Sequence, residues 1–284
     1  MKDKVVLITG ATSGIGLPAA LDLSRMGACV IVHGRNQERC KAALDRIRAK
    51  GGYENIEYAT ADLSVQSDVR DLARQVISRH NRLDVLINNA GAVYLMRRLS
   101  ADGIEMTLAT NHLASFLLTR LLLPLLEASP SARIVNVASH AHYGNPVDLS
   151  NVEMKRGYLP LTAYNRSKFA NVLFTYALAR RLDGTKITAN AMHPGFVATG
   201  MGGNNGFLIR PFARLVMSMG ITPEDGARTV VYLASSPEVE GISGRYFYLQ
   251  KSIHSDRRTY DVESQEKLWE LSEEKTRVDQ SVLT

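Results

Sequence analysis

Cysteine is nearly missing from this chain, which has two in 284 residues, Cys29 and Cys40. Their spacing matches no metal-ligand motif and leaves no disulfide framework, so no metal and a reducing compartment are expected. Tryptophan occurs once, as Trp269. The 34 basic and 28 acidic residues are interleaved, giving a net charge of +6 without a basic block or an aromatic stripe. Nucleic acid is therefore not an expected partner. The mild positive excess suits an anionic small molecule, or simply solubility. The most apolar stretch, Phe116 to Leu126, carries Arg120 and Pro124 and reads as too short to span a bilayer. Lys2-Asp3-Lys4 leads straight into a strand, with no room for a signal peptide, so a cytoplasmic location is expected. No repeat, linker or low-complexity segment divides the chain. With 45% hydrophobic residues, 1–284 reads as one domain with a full core.

What is present is a regular alternation. Lys4 to Thr9 reads as a buried strand, Gly10-Ala11-Thr12-Ser13-Gly14-Ile15-Gly16 as a tight turn, and the following residues as a helix through Met26. Glycines let a phosphate approach the backbone, and the helix start offers unpaired N–H groups to an anion. Strand, glycine turn and helix in that order are stronger evidence than a glycine pattern alone. Further strands are expected at 28–33, 56–60, 83–88, 133–138, 186–192 and 244–249. Helices are expected at 37–50, 65–80, 103–127, 161–182, 222–235 and 261–275. This pattern predicts an α/β Rossmann fold: a doubly wound, mostly seven-stranded parallel sheet with helices on both faces. Ligands in such a sheet lie beyond the carboxyl ends of the strands, where Gly10, Arg35, Asp62 and Asn89 fall.

Particular residues suggest chemistry. Gly34-Arg35 ends the second strand, where an NAD site tends to carry a carboxylate and an Arg accommodates the 2′-phosphate of NADP. Arg39, one helical turn on, is expected to help. Asp62 is a candidate helix cap, with Ser64 the better one. Asn111 lies among Leu108, Leu113 and Phe116, which suggests a buried hydrogen-bonding role. Ser139 stands at the carboxyl end of the fifth strand. His140 and His142 lack a metal partner and read as surface or packing residues. Tyr164 and Lys168, four apart on a helix, share a face, and a cation beside a phenol favours its ionised form. Taken alone, that pair is a common surface feature. Residues 196–222 are rich in Gly, Phe, Met and Leu without a clean period, and read as a lid over an apolar substrate or as an interface. Residues 250–284 form a C-terminal extension.

In combination, Thr9-Gly10-x-x-x-Gly14-x-Gly16, Asn88-Asn89-Ala90-Gly91, Ser139, Tyr164-x-x-x-Lys168 and Pro194-Gly195 resemble the short-chain dehydrogenase/reductase family over essentially the whole chain. Asn111-His112-Leu113, Tyr164 through Asn171, Ser236 through Gly241 and Gly244-Arg245-Tyr246-Phe247 are most similar to its retinol dehydrogenase-like group. Ala138 and Ala114-Ser115 depart from that group's common residues. The resemblance implies a catalytic set of Asn111, Ser139, Tyr164 and Lys168. In it Tyr164 exchanges the proton, Ser139 orients the substrate oxygen, and Lys168 binds the nicotinamide ribose and lowers the Tyr164 pKa. Asn111 holds a water relaying protons to Lys168. It also implies NADP lying against Gly10, Thr12, Ser13, Gly14, Ile15, Gly16, Arg35, Asn36, Arg39, Asp62, Leu63, Asn89, Ala90, Gly91, Tyr164, Lys168, Pro194, Gly195, Val197 and Thr199. The expected partner is a lipophilic carbonyl or alcohol, and family members commonly form homodimers or homotetramers. Two rival readings follow from the same residues: a member recruited to non-redox cyclisation or isomerisation, and a non-catalytic NADP(H)-binding regulator.

Overall fold

The computed structural model describes residues 1–51, 55–196 and 221–278. Its strands are β1 (Val5–Ile8), β2 (Cys29–Gly34), β3 (Ile56–Thr60), β4 (Val85–Asn88), β5 (Ala132–Val137), β6 (Ile187–Met192), β7 (Tyr246–Tyr248) and β8 (Lys251–Ile253). They form one sheet in the order β3-β2-β1-β4-β5-β6-β7-β8. The helices are α1 (Gly16–Arg25), α2 (Gln37–Ala49), α3 (Gln66–Ile77), α4 (Met106–Glu127), α5 (Pro160–Arg181), α6 (Pro223–Ser235) and α7 (Val262–Thr276). The strand order reverses between β1 and β4, as in a doubly wound Rossmann sheet.

The strand side chains alternate between two cores. Leu7, Ile31, Leu86 and Ile134 point to the side of α3, α4 and α5. Val6, Val30, Val32, Ile87 and Val135 point to the side of α1, α2 and α6. Both faces are apolar because helices cover both, which makes the central strands continuous hydrophobic runs.

Three expectations change. The seven parallel strands are joined by an eighth, antiparallel one, because Leu249 and Gln250 take positive φ (47° and 63°) and turn β7 into a hairpin with β8. Such a turn usually carries Asn or Gly, so Leu-Gln conceals it. Ser64 does not cap α3: Val65 holds that position, and Asp102 accepts from the Gln66 N–H at 2.9 Å. The reading of the apolar stretch as too short to span a bilayer also changes. α4 runs 22 residues, enough by length and composition to cross a membrane, but 83% of its most apolar window is buried within the fold. Its fully buried Arg120 pairs with Glu273 of α7 and lies against Phe116 and Trp269. The expected lid falls largely outside the described residues.

Candidate active site

The glycine turn is set by close packing as much as by conformation. Gly10 and Gly14 have φ of 65° and 57°. A Cβ on Gly10 would lie 2.9 Å from Ala90 Cα, and one on Gly16 2.7 Å from Asn89 Nδ2. Asn89 fills the space so left: its Nδ2 donates to the Thr9 and Gly10 carbonyls at 2.7 and 3.2 Å. Thr9 Oγ1 accepts from the Asn89 and Ala90 N–H groups. The β1 turn and the β4 end are thus one unit. α1 starts at Ile15 without a side-chain cap, so its first N–H groups face the turn uncompensated by a side chain.

His33, which sequence reasoning passed over, ties a second pair of loops together. It is buried, its Nδ1 accepts from the Gly10 N–H at 3.2 Å, and its Nε2–H donates to the Ala61 carbonyl at 3.2 Å. Burial lowers its pKa to about 4, which keeps Nδ1 free of a proton and able to accept. Gly34 beside it admits no side chain: a Cβ would lie 2.5 Å from Thr12 Cγ2 and 2.9 Å from Cys40 Sγ. Arg35, Asn36 and Arg39 are exposed beyond it, and Asn36 caps α2 by accepting from the Arg39 N–H. At the end of β3, Asp62 accepts from Ser64 N and Oγ at 2.9 and 2.8 Å, and Leu63 is buried. Ser13 is exposed at the tip of the glycine turn.

Asn111 sits where α4 widens into a π turn over Ala109–Leu113. π turns often occur at functional sites. Here the widening places both Asn111 and His112 in the interior. Asn111 clamps the chain after β4, accepting from Ala92 N–H at 2.8 Å and donating to Ala92 O at 3.0 Å and Ser167 Oγ at 2.9 Å. His112 bridges Asn171 of α5 and Ser272 of α7, at 3.2 and 2.9 Å. Asn171 in turn donates to the Asn111 carbonyl at 3.0 Å. The C-terminal helix therefore braces the Asn111 turn.

α5 starts at Pro160, whose missing N–H is needed by no helical bond at that position, and carries Tyr164 and Lys168 inward. The Tyr164 hydroxyl hydrogen-bonds Ser139, just past the end of β5. Lys168 Nζ lies 5.8 Å from the Tyr164 ring centroid and donates to the Val137 carbonyl at 2.9 Å. A Cβ on Gly91 would come within 3.1 Å of that ammonium and 3.7 Å of Asn111 Oδ1, so these groups converge and Gly91 leaves them room. The pKa of Tyr164 is raised, because burial outweighs the bond to Ser139. The Lys168 ammonium, turned to Val137, is not among the causes of that shift. Burial also lowers Lys168, to about 8.

Of the two readings for His142, surface or packing, the structure shows packing. The side chain is fully buried, with Nδ1–H donating to the Ser139 carbonyl at 2.7 Å and Nε2 accepting from Asp256 N–H at 3.1 Å. Its bonds tie Ser139 to Asp256 in the loop after β8, 114 residues beyond His142. His140 is exposed, as expected. Beyond β6, Gly195 has φ 86° and its N–H donates to His193 Nδ1 at 3.2 Å, while His193 stacks on Tyr248 at 4.2 Å. Pro194 joins the two, and Val197 and Thr199 lie outside the described residues. The carboxyl ends of β1 to β6 thus gather a glycine turn before an uncapped helix, an exposed arginine and a half-buried Ser139 against buried Tyr164 and Lys168. That donor set fits a nicotinamide dinucleotide.

A family model described as short chain dehydrogenase matches residues 4–206. Retinol dehydrogenase 14 of Homo sapiens is 40% identical over 289 residues, covering 96% of this chain and 86% of its own. Polyprenol dehydrogenase of Homo sapiens is 36% identical, covering 97% and 86%. Among solved structures, an uncharacterized protein from Mycobacterium paratuberculosis is 33% identical, with a TM-score of 0.79 over 98% of this chain and 95% of that one. The NADP active-site complex of Pseudomonas aeruginosa RhlG is 27% identical, with a TM-score of 0.69 over 87% and 94%. Matching site, fold and relatives coincide over nearly the whole length, and the chain belongs to the short-chain dehydrogenase family as a retinol dehydrogenase-like oxidoreductase.

Proposed function

We propose that this protein interconverts a carbonyl and an alcohol on a lipophilic small molecule, using NADP(H), with Tyr164 as the proton donor or acceptor. The bond between Tyr164 and Ser139, with the Lys168 ammonium held 5.8 Å from the phenol ring, is the observation that carries the reading. The nicotinamide, when bound, supplies or takes the hydride. The turn from Gly10 to Gly16 would hold its diphosphate, and Arg35 the 2′-phosphate. Ser139 and Tyr164 orient the substrate oxygen, and the phenol, protonated at neutral pH, donates to a carbonyl as it is reduced. Lys168, charged below about pH 8, offsets the phenolate left behind. Asn111 keeps the chain at Ala92 from moving away from Lys168.

Retinol and polyprenol dehydrogenases among the relatives support a lipophilic substrate, and NADP in the RhlG complex supports the cofactor. The direct test is a panel of aliphatic, isoprenoid and small polar carbonyls, followed by loss of NADPH absorbance. Turnover concentrated among long apolar aldehydes or ketones is expected. Binding of NADPH without oxidation by any carbonyl would favour a regulator or a non-redox catalyst.

A further inference from the structure

The spacing of the two cysteines offers no metal partner, but folding brings two to one of them. Cys29 opens β2, Glu57 lies on the adjoining edge strand β3, and His80 follows α3, which packs over that face. Their ligand atoms all lie within 4.8 Å of one another. Glu57 Oε1 is 3.6 Å from Cys29 Sγ and 3.4 Å from His80 Nε2. Tetrahedral zinc has Zn–S of about 2.3 Å and Zn–N and Zn–O of about 2.0 Å, which gives ligand edges of about 3.5 Å for S to O and about 3.3 Å for N to O. The observed separations match those edges closely.

Hydrogen bonding alone does not account for the cluster. His80 Nε2 is buried and has no hydrogen-bond partner. The other oxygen of Glu57 faces Arg79 at 3.7 Å, and Arg79 is itself held by the Tyr58 carbonyl at 3.1 Å. This turns Oε1 toward the thiol and the imidazole, as an outer partner orients a metal-binding carboxylate.

We propose that Cys29, Glu57 and His80 form a three-ligand site for a zinc-type divalent cation, with water completing the tetrahedron. The thiol gives its proton to solvent as the sulfur–metal bond forms. Thiolate and carboxylate together then balance the two positive charges, and the imidazole binds neutral. In the metal-free protein the thiol stays protonated and donates to Glu57, its pKa pushed up to about 12 by burial and by that carboxylate. The site lies at the amino end of β2, whereas Gly34 and Arg35 end the same strand, so it is separate from the cofactor cleft. Its effect is to brace α3 against the sheet edge.

The test uses the full-length, untagged protein titrated with Co²⁺ and then Zn²⁺. One equivalent of Co²⁺ should give tetrahedral d–d bands and a thiolate-to-metal charge-transfer band, which Zn²⁺ removes, and Zn²⁺ should raise the melting temperature. Cys29→Ser should abolish the charge-transfer band, while Cys40→Ser, at the other buried thiol, should leave it intact. His80→Gln and Glu57→Gln should weaken binding at least ~10-fold, and they carry the test if Cys29→Ser does not fold. No charge-transfer band in the wild type, or a band that survives Cys29→Ser, overturns the proposal.

Discussion

Gly34→Ala tests whether the cofactor turn is shaped by packing. The added Cβ would stand 2.5 Å from the Thr12 methyl and 2.9 Å from Cys40 Sγ, where ordinary contact is 3.4–4 Å. Thr12 must then retreat by about 1 Å, and it sits in the turn between Gly10 and Gly14. Overpacking of this kind costs about 1–3 kcal/mol, so the melting temperature should fall and NADPH should bind more weakly. Thr12→Ser deletes the methyl that makes the 2.5 Å contact. In the Gly34→Ala background it should restore more than half of the lost stability, and the residue should trace to Cys40. Urea unfolding of the four proteins in the cycle, with NADPH titration of each, measures both effects. A Gly34→Ala protein as stable as wild type, or one that Thr12→Ser does not help, would refute the reasoning. The same crowding predicts that a carboxylate cannot simply be placed at position 34.

Other perturbations address the rest of the site. Arg35→Ala removes one charge-assisted contact worth about 1.5–3 kcal/mol and should cut the NADPH-over-NADH preference by roughly 10- to 150-fold, read as a ratio of kcat/KM values; an unchanged ratio would exclude Arg35 from 2′-phosphate recognition. His33→Phe deletes the bonds to Gly10 and Ala61 and should weaken NADPH binding while the Tyr164–Ser139 pair stays intact; unchanged affinity would deny His33 its positioning role. Fully buried His33 and His112 have pKa values lowered by burial from 6.5 to about 4. The unfolded chain therefore binds more protons in that window, so stability is complete above pH 6.5 and is lost as pH falls toward 4, by up to a few kcal/mol per histidine. Urea midpoints from pH 7.5 down to 4.5 should fall accordingly, with a smaller slope in His112→Gln; a flat profile contradicts it.

Local signals carried much of this structure. The glycine turn, the Tyr164–Lys168 spacing and the strand–helix alternation depend on neighbours in the chain, and each could be read directly. The π turn at Asn111 could not, because nothing at Thr110-Asn111-His112 indicates that Ala92, Asn171 and Ser272 will converge there. Likewise His33 and His142 are ordinary residues until folding brings Gly10 and Ala61 to one and Asp256 to the other. The β8 strand was hidden by an unusual Leu249-Gln250 turn, and the Cys29 cluster by partners on two other elements. The raised Tyr164 pKa is also a tertiary effect: helical spacing brings Lys168 near, but Val137 takes its ammonium and burial decides the sign.

The central claim is that Tyr164 moves the proton. Tyr164→Phe keeps the ring and its packing while removing the hydroxyl that meets Ser139. Carbonyl reduction by NADPH should fall at least ~100-fold in kcat, the loss expected for general acid–base help. NADPH affinity, measured by fluorescence titration of the same preparation, should change little. Near-wild-type kcat in the folded variant would contradict the account.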